Sequence, residues 1–176
     1  MTRQHRTATP PPGPWQDDPV DALQARLAAL AAAGGAGNPA LTAAVAACFR
    51  LRGDWLAIVV APAFVRMILL PGGGELWGDI PDGQRRYVTL AGHDWRFEAA
   101  RDAGLGAYQH CDLLAATGDL RGMDDALAVV RDTMKLLGHD GGPPPTRPAQ
   151  ASDGEPAAAG RPLGRRGFLR ILGGKR

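Results

Sequence analysis

Cysteine is scarce: Cys48 and Cys111 are the two in 176 residues. Two thiols cannot build a disulfide framework or a four-ligand metal site, so a pair of reduced, mostly buried thiols is expected. Long apolar runs are absent as well. None approaches the roughly 20 residues that a membrane helix needs. Arg3 and Arg6 open the chain, but Pro10–Pro14 and the acids Asp17, Asp18 and Asp21 stand where the apolar core of an export signal should sit, so a cytoplasmic location is expected. Lysine is nearly missing: of 20 basic residues only Lys135 and Lys175 are not arginine. A strong excess of either sign is missing too, with a net charge of +2. That balance hides an asymmetry. Residues 161–176 hold six positive charges (Arg161, Arg165, Arg166, Arg170, Lys175, Arg176) and no acid, which leaves all 18 acidic groups against 14 basic ones in the rest. A mildly acidic body with a basic tail excludes a uniformly basic nucleic-acid binder.

What is present is enough apolar material for one core, 45% of the chain, diluted by 24 Gly and 15 Pro. Residues 1–16 are polar and then proline-rich and read as a disordered arm. Asp18-Pro19 signals a helix start, and Val20, Leu23, Leu27 and Leu30 follow at helical spacing until Gly34-Gly35, predicting a helix over about 18–33. The middle reads as sheet. Trp55–Ala61 and Met67–Leu70 are short apolar runs closed by Pro62 and Pro71. Arg86–Leu90 and Asp94–Ala99 flank a bend at Ala91-Gly92-His93, and a further strand lies around Tyr108 within Leu105–Leu114. Met123, Leu127, Val130, Met134 and Leu137 mark a last helix, with Asp124 and Asp125 at its start and Gly138 at its end.

Strands joined without intervening helices predict an α+β fold: an antiparallel sheet packed by an N-terminal and a C-terminal helix over residues 17–138, with disordered tails. Residues 139–164, with six Pro and five Gly, have linker composition. A flexible chain of that length reaches roughly 28 Å, about twice the radius of gyration near 14 Å expected of the body. The basic amphipathic tail, 165–176, can therefore return to any face of its own domain.

Catalytic signatures are few. His5, His93, His110 and His139 lack metal-ligand spacing, no Gly-x-Ser-x-Gly elbow occurs, and Gly72–Gly74 lacks the Lys and Ser/Thr of a phosphate loop. His110 and Cys111 are adjacent, which on a strand points them to opposite faces. Trp55, Trp77, Trp95, Phe64 and Tyr108 read mainly as core, with Trp77 in a loop where it could meet a ligand. No cofactor is implied.

Six stretches together resemble the HybE/HupJ family of [NiFe]-hydrogenase assembly chaperones. They are Asn38-Pro39-Ala40-Leu41, Trp55 through Phe64, Met67-Ile68-Leu69-Leu70-Pro71-Gly72, Gly104-x-Gly106-x-Tyr108-Gln109-x-Cys111-x-Leu113, the last helix, and Arg165-Arg166-Gly167-Phe168-Leu169-Arg170. The resemblance covers about residues 36–138 and the tail. It departs at Ala63, where the family usually has Trp, and at Asp112–Thr117, where it reads like Ser-Leu-Phe-Ser-Pro-Met. The resemblance implies a non-enzymatic maturation factor that binds the precursor of the hydrogenase small subunit, which carries an N-terminal twin-arginine signal, and delays its export until assembly. The large subunit and other maturation factors are further partners on this view, with no nucleic acid and at most peripheral membrane contact. An apolar surface near Phe64, Trp77 and Tyr108, assisted by Glu98 or Asp102, is the expected client site. The tail residues Arg165, Arg166, Phe168, Leu169 and Arg170 have the chemical pattern of the client signal and are read as its internal mimic. Two alternatives belong to other classes: a thiol-dependent enzyme using Cys111 with Cys48 as resolving partner, and a peripheral membrane adaptor using the tail.

Overall fold

The computed structural model describes residues 14–34 and 37–139; the expected linker after His139 and the tail lie outside the described residues. Helix α1 (Val20–Ala32) is followed by β1 (Ala44–Leu51), β2 (Asp54–Ala61), β3 (Phe64–Leu70), β4 (Arg85–Leu90), β5 (His93–Asp102), β6 (Gly106–Leu114) and helix α2 (Met123–Leu136). The six strands form one antiparallel sheet in the order β1-β2-β3-β6-β5-β4. Two sequential meanders, β1-β2-β3 and β4-β5-β6, therefore meet at the β3–β6 seam.

Turn chemistry sets the hairpins. Arg52 and Gly53 have φ of 49° and 88°, and Ala91 and Gly92 have φ of 49° and 79°. Two successive positive φ angles in a two-residue loop match the right-handed twist of the flanking strands. Leu51 thus pairs with Asp54, and Leu90 with His93. Strand β1 was not among the elements expected. Its sequence, Ala-Val-Ala-Ala-Cys-Phe-Arg-Leu, is rich in alanine and shows no clean alternation, so only pairing with β2 decides its state.

Alternation along each strand divides the interior into two layers. One face carries Leu56, Ile58, Met67, Leu69, Trp95, Phe97, Cys111 and Leu113, and α2 covers it with Ala126, Val130 and Met134. The other face carries Trp55, Ala57, Val59, Ile68 and Leu70, and Leu23 and Leu27 of α1 cover it. Helix α1 begins as its sequence suggests, the Asp18 carboxylate accepting the Val20 N–H at 3.0 Å. Helix α2 ends in a left-handed Gly138 (φ 74°), whose N–H donates to Lys135 O while the His139 N–H donates to Met134 O.

Side chains fasten the connections. Trp15, at the end of the expected disordered arm, is tied to the body: its N–H donates to Pro71 O (2.7 Å), and its carbonyl accepts from Trp55 Nε1 (3.0 Å). Asn38 Nδ2 donates to the carbonyls of Thr117 and Leu120, while its backbone N–H donates to Pro62 O. The Thr117 hydroxyl also donates to Pro62 O. Pro62, just before β3, and Thr117, just after β6, are thereby brought together.

The glycine run after β3 folds around a carboxylate. Asp54 is fully buried and accepts from the N–H groups of Gly72 (2.8 Å), Gly74 (3.0 Å), Leu76 (2.8 Å) and Trp77 (2.8 Å). Glycine is required because a Cβ at Gly72 or Gly74 would strike the backbone of the β1–β2 turn. The loop is pinned further on by Gln109, which donates to Gly78 O (2.6 Å) and accepts from Arg86 Nε (2.7 Å).

Candidate functional site

The apolar stripe of α1 is not buried along its whole length. Leu23 and Leu27 are buried on β2 and β3, but Leu30, one turn further, stays 42% exposed. A cleft of about 230 Å³ lies there between α1, β3, β6 and the turn after β5. Leu27 and Leu30 form one wall, Phe64 and Ile68 of β3 the floor, and Leu105 and Tyr108 the far side. Burial raises the Tyr108 pKa, so the phenol keeps its proton and offers a donor beside an apolar surface.

Charge pairs stand at the rim. Arg26 of α1 meets Asp102 at 2.5 Å, and Asp102 also accepts from the N–H groups of Gly104 and Leu105, closing the β5–β6 turn. Arg66 meets Asp112 at 2.5 Å with its guanidinium 4.2 Å over the Phe64 ring. An apolar slot edged by donors and acceptors of both signs can hold a hydrophobic side chain and orient a charged neighbour. Among the described residues no group of three or more His, Cys, Asp or Glu is placed to hold a metal.

The expected client residues separate. Phe64, Asp102 and Tyr108 converge on the cleft. Glu98 lies beside it on the same sheet face, opposite His110 in register, with its carboxylate on Arg85 at 2.7 Å. That hydrogen bond holds the Glu98 carboxyl below the usual carboxylate range. Trp77 is not brought to this site; it packs against the opposite core, on the α2 side of the sheet. Leu30, Arg26 and Arg66 complete the cleft and were not singled out. The helical spacing of Leu30 was visible, but its stripe also fits a wholly buried face.

The thiols are separated by the sheet itself. Cys48 faces the α1 layer and Cys111 the α2 layer. Burial pushes the Cys48 thiol up to about 12, with Asp18 adding to the effect, and pushes Cys111 up to about 11. His110 points away from Cys111, and its own pKa is lowered by burial. Cys48 cannot resolve Cys111 across the sheet, and neither thiol is activated; the thiol-enzyme alternative is overturned.

The profile of the family described as "[NiFe]-hydrogenase assembly, chaperone, HybE" matches residues 23–171. This chain belongs to the HybE family. That family is one of chaperones, not of enzymes. The solution structure of HybE from Escherichia coli has the same fold, with a TM-score of 0.58 at 19% identity, covering 89% of this chain and 98% of that one. A probable rubredoxin, HupJ of Rhodobacter capsulatus, is 28% identical over 82 residues, 47% of this chain and 30% of that protein. The chain thus spans under a third of that relative. A rubredoxin iron takes four thiolates, and two cysteines on opposite faces of a sheet do not fit one.

Proposed function

We propose that this HybE-family chain binds the precursor of a hydrogenase small subunit in the cytoplasm and delays its export until the large subunit is ready. The observation that carries the reading is the open apolar cleft with Leu30 left exposed at its lip. A twin-arginine signal sets an apolar segment directly after a charged pair. On this reading Phe and Leu of the signal enter the cleft between Leu30 and Tyr108. The client arginines then share Asp102 and Glu98, displacing Arg26 and Arg85 toward solvent, where arginine is well hydrated. The acidic excess of residues 1–160 steers the encounter with a basic segment.

The tail regulates the same site. Arg165, Arg166, Phe168, Leu169 and Arg170 offer the chemistry of the client signal at an effective concentration on the order of millimolar, so a weak self-contact keeps the cleft covered until a tighter client arrives. The test is titration of a fluorescent small-subunit signal peptide into the full chain. Leu30→Asp, at an exposed position, is expected to weaken binding about tenfold. Deletion of 161–176 is expected to strengthen it. Unchanged affinity in Leu30→Asp refutes the cleft, and weaker binding after deletion refutes the mimic. Copurification at moderate salt that yields lipid or nucleic acid alone refutes the client itself.

A further inference from the structure

The two edges of the sheet are finished differently. At the β1 edge, Gln24 of α1 reaches the backbone: its Oε1 accepts the Val45 N–H (3.0 Å) and its Nε2 donates to Ala43 O (3.1 Å). The same strand is broken by a register shift between Val45 and Ala47, and Arg50 ties its far end to the carbonyls of Trp15 and Gln16. Helix, bulge and side chains together close that edge. The β4 edge has none of these within Arg85–Leu90. The two-residue turn makes Leu90 and His93 a hydrogen-bonded pair, and alternation then directs the main-chain groups of Arg86 and Val88 inward and those of Arg85, Tyr87 and Thr89 outward. No described residue supplies a main-chain partner to those three. Tyr87 is 70% exposed, the largest exposure of any large apolar or aromatic side chain among the described residues.

We infer that β4 is a self-recognition edge, pairing antiparallel with β4 of a second copy about a two-fold axis through Tyr87. The strand is self-complementary in that register. Tyr87 faces Tyr87 of the second copy, and Arg85 faces its Thr89, so the outward groups form about six main-chain hydrogen bonds. The side chains on this face agree. Within one chain Arg85 pairs with Glu98, Thr89 with Asp94 through a 2.6 Å hydrogen bond, and Tyr87 stands opposite Arg96. Joining two copies makes a central row of Arg96, Tyr87 and their two counterparts, with each tyrosine ring beside an arginine. On either side a row runs acid, Arg85, Thr89, acid, in which each Arg85 gains Asp94 of the other copy within reach of its guanidinium. No like charges are set directly opposite. A shift of two residues would lose both the tyrosine contact and this charge order, which fixes the register. The backbone pairing does not use the cleft, whose lining includes no β4 residue; the Arg85–Glu98 pair is the one feature the two readings share.

Six-residue strands bury less than the roughly 1,200 Å² of a stable interface, so a weak dimer with a dissociation constant on the order of 0.1 mM is expected. Sedimentation equilibrium of the full chain from micromolar to millimolar measures it. Tyr87→Pro removes an outward N–H and the exposed ring, which a sheet edge tolerates, and is expected to raise the dissociation constant at least tenfold with unchanged circular dichroism. Register is read by cross-linking. Tyr87→Cys places two Cα atoms about 5.5 Å apart across the axis, within disulfide range, whereas Thr89→Cys places them roughly 14 Å apart. Disulfide formed by Tyr87→Cys and not by Thr89→Cys supports the inference. A monomer at every concentration overturns it, as does a dimer indifferent to Tyr87→Pro, or equal cross-linking at both positions. Binding of an extended client at this edge by a chain that stays monomeric also overturns it.

Discussion

Replacing Asp54 by Ala leaves four backbone N–H groups without their acceptor. Two of them, on Gly72 and Leu76, are buried, and two, on Gly74 and Trp77, are partly exposed and can recover water. An orphaned buried donor costs about 1–3 kcal/mol. With the exposed pair resolvated, the expected loss is about 3–5 kcal/mol, a large share of the 5–15 kcal/mol typical of a domain. For a body of this size that corresponds to a melting temperature lower by about 10–20 °C. Asp54→Asn keeps one acceptor oxygen and turns an amide toward N–H donors, so about half that loss is expected. Urea unfolding followed by tryptophan fluorescence measures the difference, since Trp55 and Trp77 both flank the site. Amide exchange provides the local readout: protection at Gly72, Gly74, Leu76 and Trp77 should fall together. A loss below 1 kcal/mol in Asp54→Ala, or protection unchanged at those four amides, would refute the argument that this carboxylate organises the loop.

Ala91 holds φ of 49° in a turn that favours Asn-Gly, so Ala91→Asn is expected to stabilise by about 0.5–1 kcal/mol, read as a higher melting temperature. An unchanged or lower value counts against strain at that residue. The thiols should be nearly inert in the native state. With pKa values of about 12 for Cys48 and about 11 for Cys111, their thiolate fractions at pH 8 fall at least 100-fold below that of a free cysteine near 8.5. Disulfide-reagent labelling should therefore be slow until urea is added, and a native thiol that reacts at the unfolded rate refutes their burial. The same shifts carry a stability sign. The unfolded thiols ionise near pH 8.5 and the folded ones not until about 11, so the native state binds more protons in between. Stability should fall as pH rises above about 8.5, and Cys111→Ala should reduce that slope.

The sequence by itself determined the parts that depend on near neighbours. The Val20-Leu23-Leu27 stripe between Asp18-Pro19 and Gly34 made α1, and Trp95 and Phe97 alternating with charged residues made β5. The Pro62 and Ala91-Gly92 turns placed the hairpins, and alternation already separated His110 from Cys111. Family membership was legible in several short motifs whose order mattered more than any one of them. Tertiary structure decided what depends on distant partners. Strand β1 exists because β2 pairs with it, since an alanine-rich segment has no strong state of its own. Asp54 looks like an ordinary turn residue until donors 18 to 23 positions away close on it. Trp77 and Tyr108 look alike as exposed-or-core aromatics, and the sheet puts them on opposite sides. Leu30 belongs to a buried stripe by spacing but stays exposed at the lip of a cleft over β3 and β6. Periodicity reports which side of an element is apolar; which surface meets that side, and where it runs out, is fixed only when the other elements are in place.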